Sequence, residues 1–249
     1  QARRFSRRQC NQLDAVVVPS SAMRQRLESY GVTTPMNVLP TGIPLRQFAA
    51  GDGPAFRRAH GIAESRPLAL FVGRVAHEKN IGFLLEALLQ TRQLCPDVLL
   101  LIAGEGPAMA DLKKRTAELG LQQSVLFIGY LDRKQALPDC YAAADVFVFA
   151  SRTETQGLVL LEAMAADVPT ICSDCGGGRE VVDGVGELLP FGDASALANC
   201  LIATAKQQGI STLSVEAALR DRFSDDAAHR VFWARMAEAG SPFSALQLG

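Results

Sequence analysis

From residue 66 onward, short runs of consecutive apolar residues alternate with longer stretches in which apolar residues recur at helical spacing. Strands that are buried on both faces of a parallel sheet are apolar throughout, and the helices that connect them are amphipathic. The apolar runs predict strands at residues 67–73, 97–103, 124–129, 145–150, 168–172 and 187–190. The intervening stretches predict helices at residues 81–94, 109–119, 134–144, 157–166 and 194–205. This alternation is typical of an α/β domain with a Rossmann-like, doubly wound parallel sheet.

The segments on either side of this domain have different patterns. A strand at 13–18, a helix at 20–30 and a strand at 37–40 make one strand–helix–strand unit, which cannot close a core alone. We therefore expect residues 1–43 to be the remnant of a preceding, truncated domain and the Gly-, Ala- and Pro-rich residues 44–65 to be an interdomain connection. The doubly wound domain would then span residues 66–222. A helix that starts at Ser224 would open a C-terminal segment over residues 223–249.

Composition narrows the classes of function. The chain has 249 residues, of which 48% are hydrophobic, and a formal net charge of -1, so no basic excess indicates a nucleic-acid partner. Its apolar runs are much shorter than the roughly 20 residues of a membrane span. The six cysteines are scattered rather than densely spaced, which favours a reducing, cytoplasmic compartment.

The strongest chemical signal follows the fourth predicted strand, where residues 151–165 read SRTETQGLVLLEAMA. Ligands of open parallel sheets bind at the carboxyl ends of the strands, where this segment must lie. Gly157 permits a close approach of the backbone to a ligand. The helix that follows offers the free amides of Gln156, Gly157 and Leu158, and the positive end of its dipole, to an anion.

Two glutamates in this segment are candidate ligands for hydroxyl groups. Glu162 is the one charged residue in an otherwise apolar helix, and an ionised carboxylate there needs a strong partner, such as the hydroxyls of a ribose. Glu154 lies eight residues earlier, outside the helix, and can accept hydrogen bonds from hydroxyls near a diphosphate. The alternative interpretation is that both carboxylates only interact favourably with the positive, N-terminal end of the helix dipole. This explains Glu154 better than Glu162.

A second signal is the sequence VGRVAHEKN at residues 72–80, which again leads from a strand into a helix. Arg74 and Lys79 can neutralise a diphosphate there, although they could also be solvated ends of ordinary surface ion pairs. The sequence has no Asp-x-Asp pair and no cluster of histidines and carboxylates at metal spacing, so we expect no metal.

Glycines also follow the second and third strands of this domain. Gly104 and the backbone at Tyr130 and Leu131 are expected to line a nucleotide crevice, with the latter two placed to read a base edge. Tyr130 could equally be a packing residue.

Together these motifs resemble the family-4 retaining glycosyltransferases of the GT-B fold. The residues that carry the resemblance are Gly73, Arg74, 78–80, 104–107, Phe127, Gly129, Glu154, Glu162, Gly176, Gly177 and Glu180. In that family two Rossmann-like domains face a cleft, the C-terminal domain holds the sugar nucleotide, and the last helix crosses back to the N-terminal domain. The resemblance implies that residues 1–43 belong to the acceptor domain and that the helix after Ser224 is the crossover helix.

The resemblance also implies roles for single residues. Arg74 and Lys79 would bind the diphosphate, Glu162 the ribose, and Glu154 the hydroxyls of the donor sugar. The implied catalytic residues are Arg74, Lys79 and Glu154. The implied donor-binding residues are Gly73, Arg74, Lys79, Gly104, Tyr130, Leu131, Glu154, Thr155, Gln156, Gly157, Leu158 and Glu162. No cofactor is implied beyond the UDP-sugar donor itself.

A finer resemblance involves residues 153–159, which read TETQGLV, and short motifs at 10–11, 18–20, 30–31 and 39–43. These are similar to the bacterial diacylglycerol glucosyltransferases, which use UDP-glucose at the cytoplasmic face of the membrane. The similarity implies transfer of a hexose to a lipid or saccharide acceptor by a cytoplasmic protein, peripheral on the inner face of the plasma membrane. A basic helix could contact that surface, or be merely solvated. Its arginines are Arg3, Arg4, Arg7 and Arg8.

Two other classes of function fit parts of this pattern. A sugar-nucleotide epimerase or phosphorylase of the same fold would have a similar donor half. A non-catalytic nucleotide-binding module is also conceivable, but it need not keep Arg74, Lys79, Glu154 and Glu162 together. Because the acceptor site of such a transferase lies in the preceding domain, we expect no turnover from this chain alone.

Overall fold

A small strand–helix–strand unit opens the computed structural model, which describes residues 2–174, 176–206, 219 and 223–238. Its elements are α1 (Ala2–Cys10), β1 (Val16–Val18), α2 (Ser21–Ser29) and β2 (Met36–Val38). β1 and β2 pair in parallel and form a sheet of their own. As its sequence predicts, α2 has a serine cap, since the Ser20 hydroxyl accepts a hydrogen bond from the amide of Met23.

Two short helices follow, α3 (Leu45–Phe48) and α4 (Gly53–Ala59), in the segment expected to be a connection. Helices of four and seven residues are too short to show a hydrophobic period. Phe48 and Phe56 are buried in the same apolar cluster as the central strand of the main sheet. The side chain of Asp52 caps α4 by accepting a hydrogen bond from the amide of Ala55.

The main sheet contains six parallel strands. They are β3 (Leu68–Val72), β4 (Leu99–Ala103), β5 (Val125–Gly129), β6 (Val146–Phe149), β7 (Thr170–Ser173) and β8 (Glu187–Leu189). The helices between and after them are α5 (Ile81–Thr91), α6 (Met109–Glu118), α7 (Ala136–Ala142), α8 (Leu158–Ala165), α9 (Gly176–Val182) and α10 (Ala194–Ala205). Every predicted strand and helix of this domain is present, with small differences at the ends. Helix α9 is not predicted from the sequence, because three consecutive glycines disfavour a helix locally.

The strand order is β5–β4–β3–β6–β7–β8, with every neighbouring pair parallel. The domain starts at the centre of the sheet, builds outward to one edge and returns to build the other half. This is the predicted doubly wound topology. Its switch point lies between β3 and β6, so a crevice is expected where these two strands end.

Apolar side chains cover both faces of the sheet. Leu70 and Phe71 are neighbours in β3, belong to the clusters on opposite faces, and are both fully buried. The two-sided burial explains why the strand segments are continuously apolar in the sequence.

The last described helix, α11 (Asp225–Glu238), starts beside the segment that follows β2. The amide of Ile43 donates to the carbonyl of Phe223 at 2.9 Å, and Ile43 and Ser224 form a parallel bridge. These contacts place the start of the predicted C-terminal helix against residues 42–43, just before the 44–65 segment. The part of the predicted C-terminal segment after residue 238 lies outside the described residues. In the described parts of the chain, every helix is too short or too polar to span a bilayer.

Candidate active site

The loops that follow β3 and β4 pack against each other through their backbones. The amide of Gly73 donates to the carbonyl of Ala103, and the amide of Gly104 donates to the carbonyl of Gly129. Gly104 has a φ of 140°, and a Cβ atom there would lie 1.9 Å from the carbonyl oxygen of Gly73. Only glycine fits this position, so the predicted glycine loops lie together at the carboxyl edge of the sheet.

Lys79 and Glu154 come from different loops and meet at this edge. Lys79 ends a 3₁₀ turn over His77–Lys79, and its Nζ lies 2.8 Å from Oε2 of Glu154. The Lys79 ammonium also lies 5.7 Å from the centre of the Phe149 ring. Both charged groups are largely buried, which makes the ion pair stronger than one in open solvent. The fold therefore joins two predicted site residues that are 75 positions apart.

Arg74 is placed differently from Lys79. Its side chain is 66% exposed and lies 4.0 Å from Glu78, a contact that contributes little in water. Since Lys79 is already neutralised by Glu154, Arg74 carries the more available positive charge of the two. Its guanidinium can therefore move to an anionic group at the edge of the sheet.

The backbone of the Glu154–Gly157 loop is fixed by hydrogen bonds from two sides. The Gln156 side chain donates to the carbonyl of Thr41 and accepts from its amide, both at 2.9 Å, while the amide of Gly177 donates to the carbonyl of Glu154. A Cβ atom at Gly177 would lie 2.2 Å from the carbonyl oxygen of Thr155, so α9 approaches this loop as closely as backbones can. Only the backbone amide of Gln156 is a predicted ligand, and its side-chain contact with Thr41 is not predicted from the sequence.

Helix α8 begins immediately after this loop. Gly157 has a left-handed φ of 81°, and within the described residues no side chain caps the first turn. The first-turn amides near Leu158 therefore have no side-chain cap, and anion binding by them stays a prediction.

The N-terminal unit contacts the same region. The hydroxyl of Ser20 donates to the carbonyl of Thr155, and the carboxylate of Glu180 in α9 accepts hydrogen bonds from the amides of Ser21 and Ala22. Glu180 therefore caps α2 from across the chain. These pairs are separated by 135 to 159 positions, so no local pattern could reveal them.

Glu162 lies inside the protein, with both carboxylate oxygens bonded to other side chains. Oε1 accepts a hydrogen bond from the guanidinium of Arg133, and Oε2 accepts one from the hydroxyl of Tyr141 at 2.9 Å. Burial raises the pKa of Glu162, while the charge of Arg133 and both hydrogen bonds oppose that rise. Burial, and then the charge of Glu162, raise the pKa of Tyr141 well above its usual range.

Glu162 has the strong partners that its apolar helix predicts, but these are two protein groups, Arg133 and Tyr141, that the sequence pattern does not reveal. The assignment to ribose hydroxyls stays a prediction. A usable signal was present for Tyr141, since it is the one hydroxyl-bearing side chain in the otherwise apolar buried face of α7. Arg133 lies in an irregular loop, where spacing gives no information about its contacts.

Tyr130 and Leu131 lie after β5 and have different environments. Tyr130 is 70% exposed, which excludes the alternative that it is a packing residue. Leu131 is partly buried and packs against the core. Their contact with a base stays a prediction. Among the described residues, no three histidine, cysteine or carboxylate side chains lie close enough to hold a metal ion.

Comparisons with known proteins give two matching family models. Residues 52–229 match the model described as glycosyl transferases group 1, and residues 3–41 match the N-terminal domain of the glucosyltransferase 3-like proteins. The first match covers most of the chain.

Curated relatives include an alpha-monoglucosyldiacylglycerol synthase of Streptococcus pneumoniae, which is 35% identical over 64% of this chain and 37% of its own length. A GDP-mannose-dependent alpha-(1-6)-phosphatidylinositol monomannoside mannosyltransferase of Mycolicibacterium smegmatis is 33% identical over 73% of this chain and 50% of its own length. The chain therefore spans half or less of the length of these two relatives.

Solved structures share the fold. Anabaena HepE, determined in complex with UDP and glucose, has a TM-score of 0.84 at 23% identity, over 95% of this chain and 66% of that chain. Sucrose-phosphate synthase from Thermosynechococcus elongatus has a TM-score of 0.78 at 26% identity, over 96% of this chain and 62% of that chain. These likenesses confirm the α/β class and the Rossmann-like sheet of a GT-B domain.

The burial of Glu162 predicts how its replacement changes stability. Because the folded protein raises its pKa, the folded state holds the Glu162 proton more tightly than the unfolded chain does, and stability falls as pH rises through the interval between the two pKa values. E162Q removes the charge and can still bond to Tyr141. We expect E162Q to be at least as stable as the unsubstituted protein at pH 7, with the difference in Tm shrinking toward acid pH.

Thermal unfolding, followed by circular dichroism from pH 7 to acid pH, measures the difference in Tm between E162Q and the unsubstituted protein. The exposed Glu86, on α5, offers E86Q as a matched control, for which no such pH-dependent difference is expected. A clear loss of stability in E162Q at pH 7 would show instead that the pairing with Arg133 outweighs the cost of burial.

Proposed function

The chain belongs to the glycosyl transferases of group 1, and we propose that it is the donor-binding part of a retaining glycosyltransferase that uses a UDP-sugar without a metal ion. The observation that carries this proposal is the contact between Lys79 and Glu154 at the carboxyl edge of the sheet, directly before the start of α8. It joins a cation suited to a diphosphate with a carboxylate suited to sugar hydroxyls. The retaining outcome is inferred from the resemblance to family-4 enzymes.

The proposed chemistry needs positive charge where the sugar leaves the nucleotide. When the bond from the anomeric carbon to the diphosphate breaks, its electron pair stays on the diphosphate. Arg74, Lys79 and the amides at the start of α8 would stabilise that charge. Glu154 would hold the sugar by its hydroxyls, and Glu162 would hold the ribose, so the nucleotide would lie across the switch point of the sheet.

Several observations support glucose, UDP and a lipid or saccharide acceptor. Anabaena HepE was solved with UDP-glucose, and the pneumococcal relative is named for glucosylation of a diacylglycerol lipid. The mycobacterial relative is named for GDP-mannose, so we base the choice of UDP on the finer motif resemblance as well.

Helix α1 fits a protein that works at the inner face of the plasma membrane. Arg3 lies over the ring of Tyr30, while Arg4 and Arg8 are exposed. Phe5 is also exposed, and adjacent basic and aromatic side chains favour an anionic membrane surface. We propose a cytoplasmic protein with peripheral membrane contact.

UDP should bind in the absence of metal, because protein cations and a helix terminus already provide the positive field. In a calorimetric titration we expect the same affinity in EDTA as in magnesium. R74A should weaken UDP by about tenfold or more. The control K114A, which removes an exposed charge on α6, should have little effect. Loss of UDP binding in the chelator would rule out the metal-free site, and absence of UDP binding in either buffer would rule out the proposed donor.

Glu154 and Glu162 should respond differently when each is replaced by glutamine. E162Q should weaken UDP and UDP-glucose alike, by about one to two powers of ten, because hydrogen bonds to a charged group contribute roughly 1.5 to 3 kcal/mol. E154Q should weaken UDP-glucose but not UDP, since its partner is the sugar and its loss frees Lys79 for the diphosphate.

Titrations of both variants with both ligands measure this contrast. Equal losses for UDP and UDP-glucose in E154Q would contradict the sugar assignment. Unchanged UDP affinity in a folded E162Q would contradict the ribose assignment.

A further inference from the structure

Glu162 is fully buried, and its two oxygens already accept hydrogen bonds from Arg133 and Tyr141. A ribose hydroxyl must reach this carboxylate if the proposed function is correct. Each carboxylate oxygen could accept a second hydrogen bond, but the Glu162 side chain has no exposed surface, so a ligand can reach it only if one of the side chains that cover it moves.

Tyr141 is fixed in the core. Its side chain is fully buried, and its ring packs at 5.8 Å from that of Phe48 and 5.7 Å from that of Phe147. Its hydroxyl also lies 3.3 Å from the carbonyl of Val159. Displacing Tyr141 would open a cavity among large aromatic residues, which is costly in a close-packed core.

Arg133 has a fixed backbone and a movable side chain. Its carbonyl accepts a hydrogen bond from the side chain of Gln47, and the neighbouring Asp132 accepts hydrogen bonds from the amides of Lys134 and Gln135. The Arg133 side chain is 55% exposed, so water can replace its contact with Glu162 when it turns outward.

We propose that Arg133 is an exchangeable cover for Glu162, which the ribose hydroxyls displace when a nucleotide binds. This inference rests on the proposed function. In the nucleotide-free protein the guanidinium supplies the counter-charge that a buried carboxylate needs, and keeps the carboxylate in place. On binding, the carboxylate exchanges an N–H donor for O–H donors, and Arg133 returns to solvent. Arg133 is therefore a positioning residue that acts through Glu162 and competes with the donor.

The test is a double-mutant cycle on UDP affinity, measured by calorimetry. R133A should tighten UDP binding by about two- to fivefold, the range expected when a partly exposed ion pair no longer has to be broken. K134A removes the same charge from the next position without touching Glu162, and should not tighten it. In an E162Q background R133A should lose its effect, because the competition acts only through the carboxylate.

Other results overturn the inference in distinguishable ways. If R133A weakens UDP more than K134A does, in both backgrounds, Arg133 is itself a nucleotide ligand. If R133A and K134A have equal effects, the contact does not compete with the nucleotide. Either result is compatible with the proposed function. Failure of the unsubstituted chain to bind UDP would contradict both the proposed function and the proposed role of Arg133. Should R133A fail to fold, R133Q also removes the charge, keeps a long polar side chain, and carries the same expectations.

Discussion

The carboxylate of Glu162 is buried on an otherwise apolar helix, and a buried carboxylate is stable only when its oxygens accept hydrogen bonds. That requirement links three elements of the domain. Tyr141 reaches the carboxylate from α7 through the aromatic core, and Arg133 reaches it from the loop after β5. The position of α8 against α7 therefore depends on a polar contact as well as on apolar packing. Because α8 also presents its first turn to the edge of the sheet, the same contact places the candidate anion site.

The other carboxylates of this region fix loops in a comparable way. Glu154 pairs with Lys79 and joins the loops after β3 and β6. Glu180 caps α2 and joins the N-terminal unit to α9. Gln156 adds a pair of hydrogen bonds to the backbone of Thr41. The predicted sugar-binding loop is thus held by the main domain on one side and by the N-terminal segments on the other. A movement of those segments would therefore shift the backbone at Glu154.

The sequence predicts strands well where a run of consecutive residues is buried, because such a run is apolar throughout. The strands β3, β4, β6 and β7 are found because all of their residues are buried and both of their faces are covered, as Leu70 and Phe71 illustrate. The edge location of Arg74, Lys79 and Glu154 follows from the parallel topology. Features that depend on distant pairs are not predictable in this way: the bond from Arg133 to Glu162 and the cap from Glu180 to α2 join segments with no shared period. Helix α9 is stabilised by close contact with the 154–156 backbone, which outweighs the low helix propensity of its glycines.

The most direct test of a nucleotide site at Glu162 is a crystal structure of the protein with UDP bound. We expect the ribose hydroxyls within hydrogen-bond distance of the Glu162 carboxylate, the diphosphate at Arg74 and the start of α8, and the Arg133 guanidinium turned away from Glu162. UDP bound at another place on the domain, or bound at this edge with Arg133 still covering Glu162, would contradict this expectation.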